Sequence, residues 1–277
     1  MNSQGKVWLV TGTSSGFGRR IVEELIARGE QVIATARDPR AVEDLVALAP
    51  NNVLALRLDV TKAEDIREAV AAAVERFGRI DVLVNNAGYS VVGAVEETGE
   101  EDLRHIFETM FFGAVAMTQA VLPGMRERGS GTIVQISSVG GFITAPGFGP
   151  YCAAKHALEA LSEALAAEVQ PFGMRVLIVE PGAFRTELFG SAFRSMPEME
   201  VYAPTVGATR NYAAQSAGTQ AGDPVKAAKA ILDAVAAGCP SLRLPLGADA
   251  IHGMRAKLAQ VAADVDWNEA IAAATAY

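Results

Sequence analysis

Val7-Trp8-Leu9-Val10-Thr11-Gly12-Thr13-Ser14-Ser15-Gly16-Phe17-Gly18 decides the fold of this chain. Four apolar residues run into a glycine-rich turn. From Arg19 to Ala27 the apolar residues Ile21, Val22, Leu25 and Ile26 then recur at helical spacing. Gly12, Gly16 and Gly18 let the backbone turn tightly and approach a pyrophosphate closely, with Ser14, Ser15 and Phe17 between them. The helix start adds free N–H groups and the positive end of the helix dipole. A bare glycine turn can be structural punctuation; its place between a first strand and a first helix makes it a dinucleotide cradle.

Outward from this unit the pattern repeats. Strands are expected at Gln31–Ala34, Val53–Leu58, Asp81–Val84, Thr132–Ile136, Met174–Val179 and Leu242–Leu244, and helices at Ala63–Phe77, Glu101–Arg128, Pro150–Val169 and Asp223–Ala237. Near-continuously apolar strands alternating with helices imply a parallel sheet covered on both faces. Right-handed crossovers make it a doubly wound α/β (Rossmann) sheet of about seven strands, in one domain spanning 1–277. Ligands of such sheets bind beyond the C-terminal strand ends. Two stretches break the alternation. One is 186–222, rich in Phe, Met and Pro and long enough to be a lid. The other is the C-terminal extension 250–277, helical over Ala250–Ala262 with a tail from Asp264 to Tyr277.

The 277 residues carry a formal net charge of −8, which argues against a general nucleic-acid surface. Two cysteines, Cys152 and Cys239, cannot build a disulfide framework and fit a reducing compartment. No apolar signal segment follows Met1, and the longest apolar stretches fall short of a membrane span, so a cytoplasmic protein without membrane attachment is expected. The histidines and cysteines lack metal-ligand spacing, so no metal is expected. His105 is read as solvated, His156 as packing, and Cys152 as a small core residue pointing away from the site.

Cofactor choice is legible after the second strand, in Ala34-Thr35-Ala36-Arg37-Asp38. A site specific for NAD places a carboxylate at the strand end, on the ribose 2′-hydroxyl. Here Ala36 stands there and Arg37 follows, whose guanidinium suits a 2′-phosphate; Asp38 is the competing ribose ligand. Further along, Tyr151-Cys-Ala-Ala-Lys155 puts a phenol and an ammonium one helical turn apart, with Ser138 upstream. A cation held there is expected to pull the phenol down from roughly 10 toward working pH, fitting it to give or take a proton beside a carbonyl.

Together these residues resemble the short-chain dehydrogenase/reductase family, from about Lys6 to Thr186. The resemblance implies a cofactor turn at Thr11-Gly-x-x-x-Gly16-x-Gly18, an adenine contact at Asp59 and Val60, and a nicotinamide-side motif at Asn85-Asn86-Ala87-Gly88. It also implies a carboxamide contact in Pro181-Gly182-x-Phe184-x-Thr186. Tyr151 would be the acid/base, Lys155 would tune it and bind the nicotinamide ribose, and Ser138 would polarise the substrate oxygen. Arg37 resembles the NADP-preferring members, and many members are homodimers or homotetramers. One departure stands out. Met110, in Glu108-Thr-Met-Phe-Phe-Gly113, occupies the place of an Asn that in the family holds a water linking the lysine to solvent. A thioether cannot donate a hydrogen bond.

The substrate pocket is expected from Ser90 and Val92, from Gly140, Phe142 and Phe148, and from Phe184, Phe189 and Met196 of the lid, with Phe193, Met199 and Tyr202 nearby. These side chains either form an apolar pocket for a bulky hydrophobic ketone or alcohol, or pack the lid onto the body. The expected activity is NADP(H)-dependent interconversion of a carbonyl and an alcohol on a small molecule. The alternatives are a non-catalytic NADP(H)-binding regulator and an epimerase or dehydratase on the same scaffold.

Overall fold

In the computed structural model, which describes residues 5–190 and 192–275, seven parallel strands form one sheet. The strands β1 (Val7–Val10), β2 (Gln31–Ala36), β3 (Val53–Arg57) and β4 (Val82–Asn85) come from the first third. A short β5 (Ser90–Val92) lies outside the sheet, and β6 (Gly131–Ile136), β7 (Met174–Pro181), β8 (Phe193–Ser195) and β9 (Arg243–Leu246) follow. The order in the main sheet is β3-β2-β1-β4-β6-β7-β9. It reverses direction between β1 and β4, whose C-terminal ends open the crevice in which such sheets bind ligands.

Both faces are covered. In β1, Trp8 and Val10 point to one side, against Ile21, Val22 and Leu25 of α1 (Gly16–Ala27) and Ile231, Leu232 and Val235 of α8 (Pro224–Ala236). Val7 and Leu9 point to the other, with Ile66 and Ala69 of α3 (Ala63–Phe77), Met117, Val121 and Met125 of α5 (Gly113–Arg128), and Leu165 of α6 (Gly149–Val169). Period-two alternation with apolar residues on both sides is why the strands are continuously hydrophobic. Before α3 a short α2 (Glu43–Leu48) covers β3.

The long helix expected at Glu101–Arg128 is α4 (Glu100–Phe107) and α5, joined by a π-helical turn at Glu108–Phe112 that holds Met110. By length and apolar composition the run Glu100–Arg128 passes for a membrane span, contrary to the sequence expectation. Its Ile106, Met110, Met117, Val121 and Met125 are instead buried in the protein core.

The described residues of the 186–222 stretch are folded, a feature absent from the strand-and-helix reading. It contains β8, which pairs in parallel with β5 (Ser90↔Phe193, Val91↔Arg194, Val92↔Ser195), and α7 (Ala203–Ser216). The tail also differs from expectation: α9 runs unbroken from Ala248 to Ala273, and Ala276 and Tyr277 lie outside the described residues.

Candidate active site

The turn after β1 and the loop after β4 are tied to each other. Asn86 Nδ2 donates to the carbonyls of Thr11 (2.8 Å) and Gly12 (2.9 Å), while Thr11 Oγ1 accepts from the backbone N–H groups of Asn86 and Ala87. Gly12 sits at φ +69°, and a Cβ there would come within 2.9 Å of the Ala87 Cα. Gly18 is off the cavity wall; a Cβ on it would collide with the Gly12 carbonyl oxygen, so its glycine serves close helix–turn packing. No side chain caps the start of α1, which leaves its first N–H groups available to an anion. Asn85, one residue earlier than Asn86, braces the sheet instead, donating to Ala114 O, Thr118 Oγ1 and Gln135 Oε1.

These elements wall one end of a cavity of about 600 Å³. Its lining includes Gly12, Ser14, Ser15, Gly16 and Phe17 from the turn, Ala36 and Arg37 after β2, and Asp59 and Val60 after β3. Asn86, Ala87 and Gly88 follow from β4, and Pro181, Gly182, Phe184 and Thr186 from β7. Arg37 is exposed on this wall. Asp38, the competing ribose ligand, is turned from it: its carboxylate takes the Arg40 guanidinium (2.8 Å) and the Arg40 N–H (3.1 Å). Burial works against ionisation of Asp59, but hydrogen bonds from Thr61 N and Oγ1 outweigh it and hold the carboxyl below its ordinary range. Gly182 has a specific reason to be glycine. The Asp249 carboxylate of α9 accepts from Ala183 N (2.7 Å) and lies where a Gly182 Cβ would stand. The glycine cradle, the uncapped helix and the exposed guanidinium fit a dinucleotide with a pyrophosphate and an anionic or hydroxylated ribose.

At the centre, Ser138, Tyr151 and Lys155 share the cavity. Ser138 precedes a short 3₁₀ turn and caps it, accepting from Gly140 N at 3.0 Å. Tyr151 and Lys155 lie one turn apart on α6, both buried. Burial pushes the Tyr151 phenol up to about 12, partly countered by the neighbouring Ser138 hydroxyl, which favours the phenolate. Burial pulls Lys155 down to about 8, partly countered by the Glu159 carboxylate one turn further along α6. The expected lowering of the phenol by the ammonium is therefore corrected. Lys155 Nζ donates to the Ile136 carbonyl at 2.7 Å and stands 6.0 Å from the Tyr151 ring centroid, so desolvation of both groups dominates in the chain alone.

Beyond Tyr151 the cavity is roofed by aromatic rings. Phe189 stacks on Phe148 (6.0 Å between centroids) and meets Tyr212 edge-on (5.9 Å), while Phe148 packs edge-on against Tyr151 (6.3 Å). Of the expected pocket residues, Ser90, Gly140, Phe148, Phe184 and Phe189 line the cavity. Val92, Phe142 and Met196 do not. Val92 is fully buried near Gly147, the Phe142 ring lies under the Arg243 guanidinium, and Met196 packs with Val91 and Ile106. Cys152, expected to point away, is on the wall, with burial raising its thiol to about 11. His105 is exposed but at the rim, its ring 5.6 Å from that of Tyr89.

Two polar clusters escaped the sequence reading. Glu97, before α4, accepts from Ala94 N (2.6 Å), Met199 N (2.7 Å) and Arg210 Nη2 (2.7 Å), which pins α7 and the lid to the loop after β5. Behind Lys155, Glu159 accepts from Ser137 Oγ (2.5 Å) and Arg243 Nη1 (2.6 Å), and Arg243 also pairs with the fully buried Glu180. Burial and the neighbouring Glu159 raise Glu180 to about 7. Glu159 did leave a signal, because Tyr151, Lys155 and Glu159 recur every four residues on one helix face. The Glu97–Arg210 pair left none. Met110 is buried against Gly88, where a Cβ would meet its Sδ at 3.1 Å, and with Lys155 and Asn85 it walls a pocket of about 10 Å³.

Residues 6–197 match the sequence profile of short chain dehydrogenases. An oxidoreductase of Botryotinia fuckeliana is 40% identical over 267 residues, covering 95% of this chain and 97% of that protein. The crystal structure of a short-chain dehydrogenase from Streptomyces avermitilis superposes with a TM-score of 0.92 at 51% identity, covering 98% of this chain and 100% of that one. Two more distant structures are a Brucella melitensis 3-ketoacyl-(acyl-carrier-protein) reductase complexed with NADH and a Thermococcus sibiricus alcohol dehydrogenase complexed with 5-hydroxy-NADP. They share 27% and 26% identity, each over 87% of this chain and over 96% and 94% of their own, with TM-scores of 0.73 and 0.71.

Proposed function

The chain belongs to the short-chain dehydrogenase family of oxidoreductases, and we propose that it is an NADP(H)-dependent reductase of bulky hydrophobic ketones, reversible as an alcohol dehydrogenase. The observation that carries this reading is the convergence of Ser138, buried Tyr151 and buried Lys155 in one cavity with a dinucleotide cradle at one end and an aromatic roof at the other.

Each of the chain's own groups has a defined part. Ser138 and the Tyr151 phenol hold the substrate oxygen between two hydroxyls. Tyr151 donates its proton to that oxygen as it becomes an alkoxide, or removes the proton in the reverse direction. Lys155, charged below about 8, stabilises the phenolate left behind. Phe148, Phe189 and Tyr212 exclude water and hold an apolar substrate body. A nicotinamide held by the cradle would supply or accept the hydride at the substrate carbon. Preference for NADP(H) rests on Arg37, exposed on the cavity wall with Ala36 in the place of a ribose-binding carboxylate, and on the engagement of Asp38 by Arg40.

Met110 motivates a second reading, an NADP(H)-binding protein without turnover; the intact Ser138, Tyr151 and Lys155 speak against it. The deciding experiment is NADPH and NADH oxidation against a panel of aryl, alicyclic and long-chain ketones. Turnover with NADPH on bulky ketones is expected. Tight NADPH binding without turnover on any member of the panel would favour the second reading.

A further inference from the structure

The helix α9 is anchored only at its beginning. Asp249 bonds Ala183 N, Ala250 is buried, and Gly253 lies against Ile143, where a Cβ would come within 2.9 Å of the Cδ1. From Leu258 to Ala273 every residue is exposed, so this segment projects about 24 Å from the body. A helix in water owes most of its stability to packing of an apolar face, and this one has such a face without a cover. Ile251, Met254, Leu258, Val261 and Val265 recur at alternating spacings of three and four residues, as in a coiled-coil seam. Leu258 is 56% exposed and Val265 63%.

The charges beside the seam select what covers it. Lys257 and Asp264 flank one side, seven residues apart; Arg255 flanks the other, with Asp266 and Glu269 further along. The basic residues thus occupy the first half of the seam and the acidic ones the second. Two copies running antiparallel, centred between Leu258 and Val261, bring Leu258 of each copy against Val261 of the other and Val265 against Met254. Lys257 then lies beside Asp264 of the second copy, and Arg255 beside Asp266 or Glu269, twice each by the two-fold symmetry. A parallel pair would set Asp264 against Glu269, two like charges. An anionic membrane surface is a poorer match, because the acidic half would face it.

We propose that α9 is a homodimerisation element, in which two copies of this chain pair their Leu258–Val261–Val265 seams antiparallel about a two-fold axis. The pairing ties dimerisation to the site. The anchored end of the helix bears the Asp249 carboxylate on the cavity wall and presses on the loop holding Ile143.

The test is sedimentation velocity of the full-length protein over a concentration series, with circular dichroism as the folding control. The double variant Leu258→Glu/Val265→Glu is expected to halve the assembled mass, whatever other interfaces persist, without loss of the fold. Lys257→Glu, which sets a carboxylate beside Asp264 of the second copy, is expected to weaken the assembly tenfold or more, and Lys257→Glu/Asp264→Lys to restore it. An unchanged mass in the double glutamate variant would overturn the proposal. So would a failure of the charge swap to rescue, which would exclude the antiparallel pair. Co-flotation of wild type with phosphatidylcholine/phosphatidylserine vesicles, lost in Leu258→Glu/Val265→Glu while the mass in solution stays the same, would assign the seam to a membrane and likewise overturn it.

Discussion

Lys155 Nζ donates a 2.7 Å hydrogen bond to the backbone carbonyl of Ile136, at the C-terminal end of β6, and so reaches from helix to sheet beneath the phenol of Tyr151. That bond fixes the ammonium while burial draws its proton affinity down to about 8. Ionisation therefore runs in one direction: the lysine is charged below about pH 8 and loses its proton as pH rises through it. For carbonyl reduction, kcat/KM, which reports groups of the free enzyme, is expected to fall above about pH 8. Tyr151→Phe should lower kcat/KM by roughly 10²–10⁴-fold while cofactor titration is unchanged. A pH–rate profile flat well above pH 8 would remove the Lys155 charge from the chemistry, and near-normal turnover in Tyr151→Phe would remove the Tyr151 hydroxyl.

Arg37 is the wall residue whose charge matches a 2′-phosphate. A charge-assisted hydrogen bond to a phosphate contributes about 1.5–3 kcal/mol. Arg37→Ala should therefore raise the KM for NADPH by about 10- to 100-fold and leave that for NADH nearly unchanged. Equal losses for the two cofactors, measured side by side, would show that Arg37 does not discriminate between them.

Met110 and Lys155 border the same pocket of about 10 Å³, room for about one water at most. Met110→Asn is expected to leave kcat unchanged or raise it. Burying an amide in place of the thioether lowers thermal stability by about 1–3 kcal/mol. A collapse of kcat in a variant that still binds cofactor would give Met110 a positive role of its own.

Arg210 is the lid's cation on Glu97, and both side chains are almost entirely covered. Arg210→Ala leaves Glu97 with only its backbone donors from Ala94 and Met199. The lid should loosen: limited proteolysis within 196–216 speeds up and the KM for ketone rises, while cofactor affinity holds. Wild-type proteolysis kinetics in this variant would show that the aromatic cluster alone holds the lid.

Arg243 faces Glu159 and Glu180 in the interior. Removing one partner of a buried ion cluster costs about 3–5 kcal/mol, because the remaining charge is uncompensated. Glu180, already raised to about 7, binds a proton more readily as pH falls. Arg243→Ala should therefore be most destabilising about one unit above that value and less so about one unit below it, by urea unfolding at both. A pH-independent loss would mean that Glu180 does not titrate between those two values.

The sequence by itself determined the strand–helix alternation, the glycine cradle after β1, and the i, i+4 pair Tyr151–Lys155. All of these are local: they follow from periodicities of two and 3.6 and from backbone freedom within a few residues. The tertiary structure decided what depends on residues distant along the chain. Glu97 and Arg210 meet across 113 positions, and Glu159, Glu180 and Arg243 converge from α6, β7 and β9. Val92, Phe142 and Met196 face away from the cavity because of what packs beside them, which no local pattern encodes. The same holds for proton affinity. The spacing of Tyr151 and Lys155 predicts a lowered phenol, whereas desolvation is set by every element closing over the pair, and in the folded chain it moves both groups toward their neutral forms.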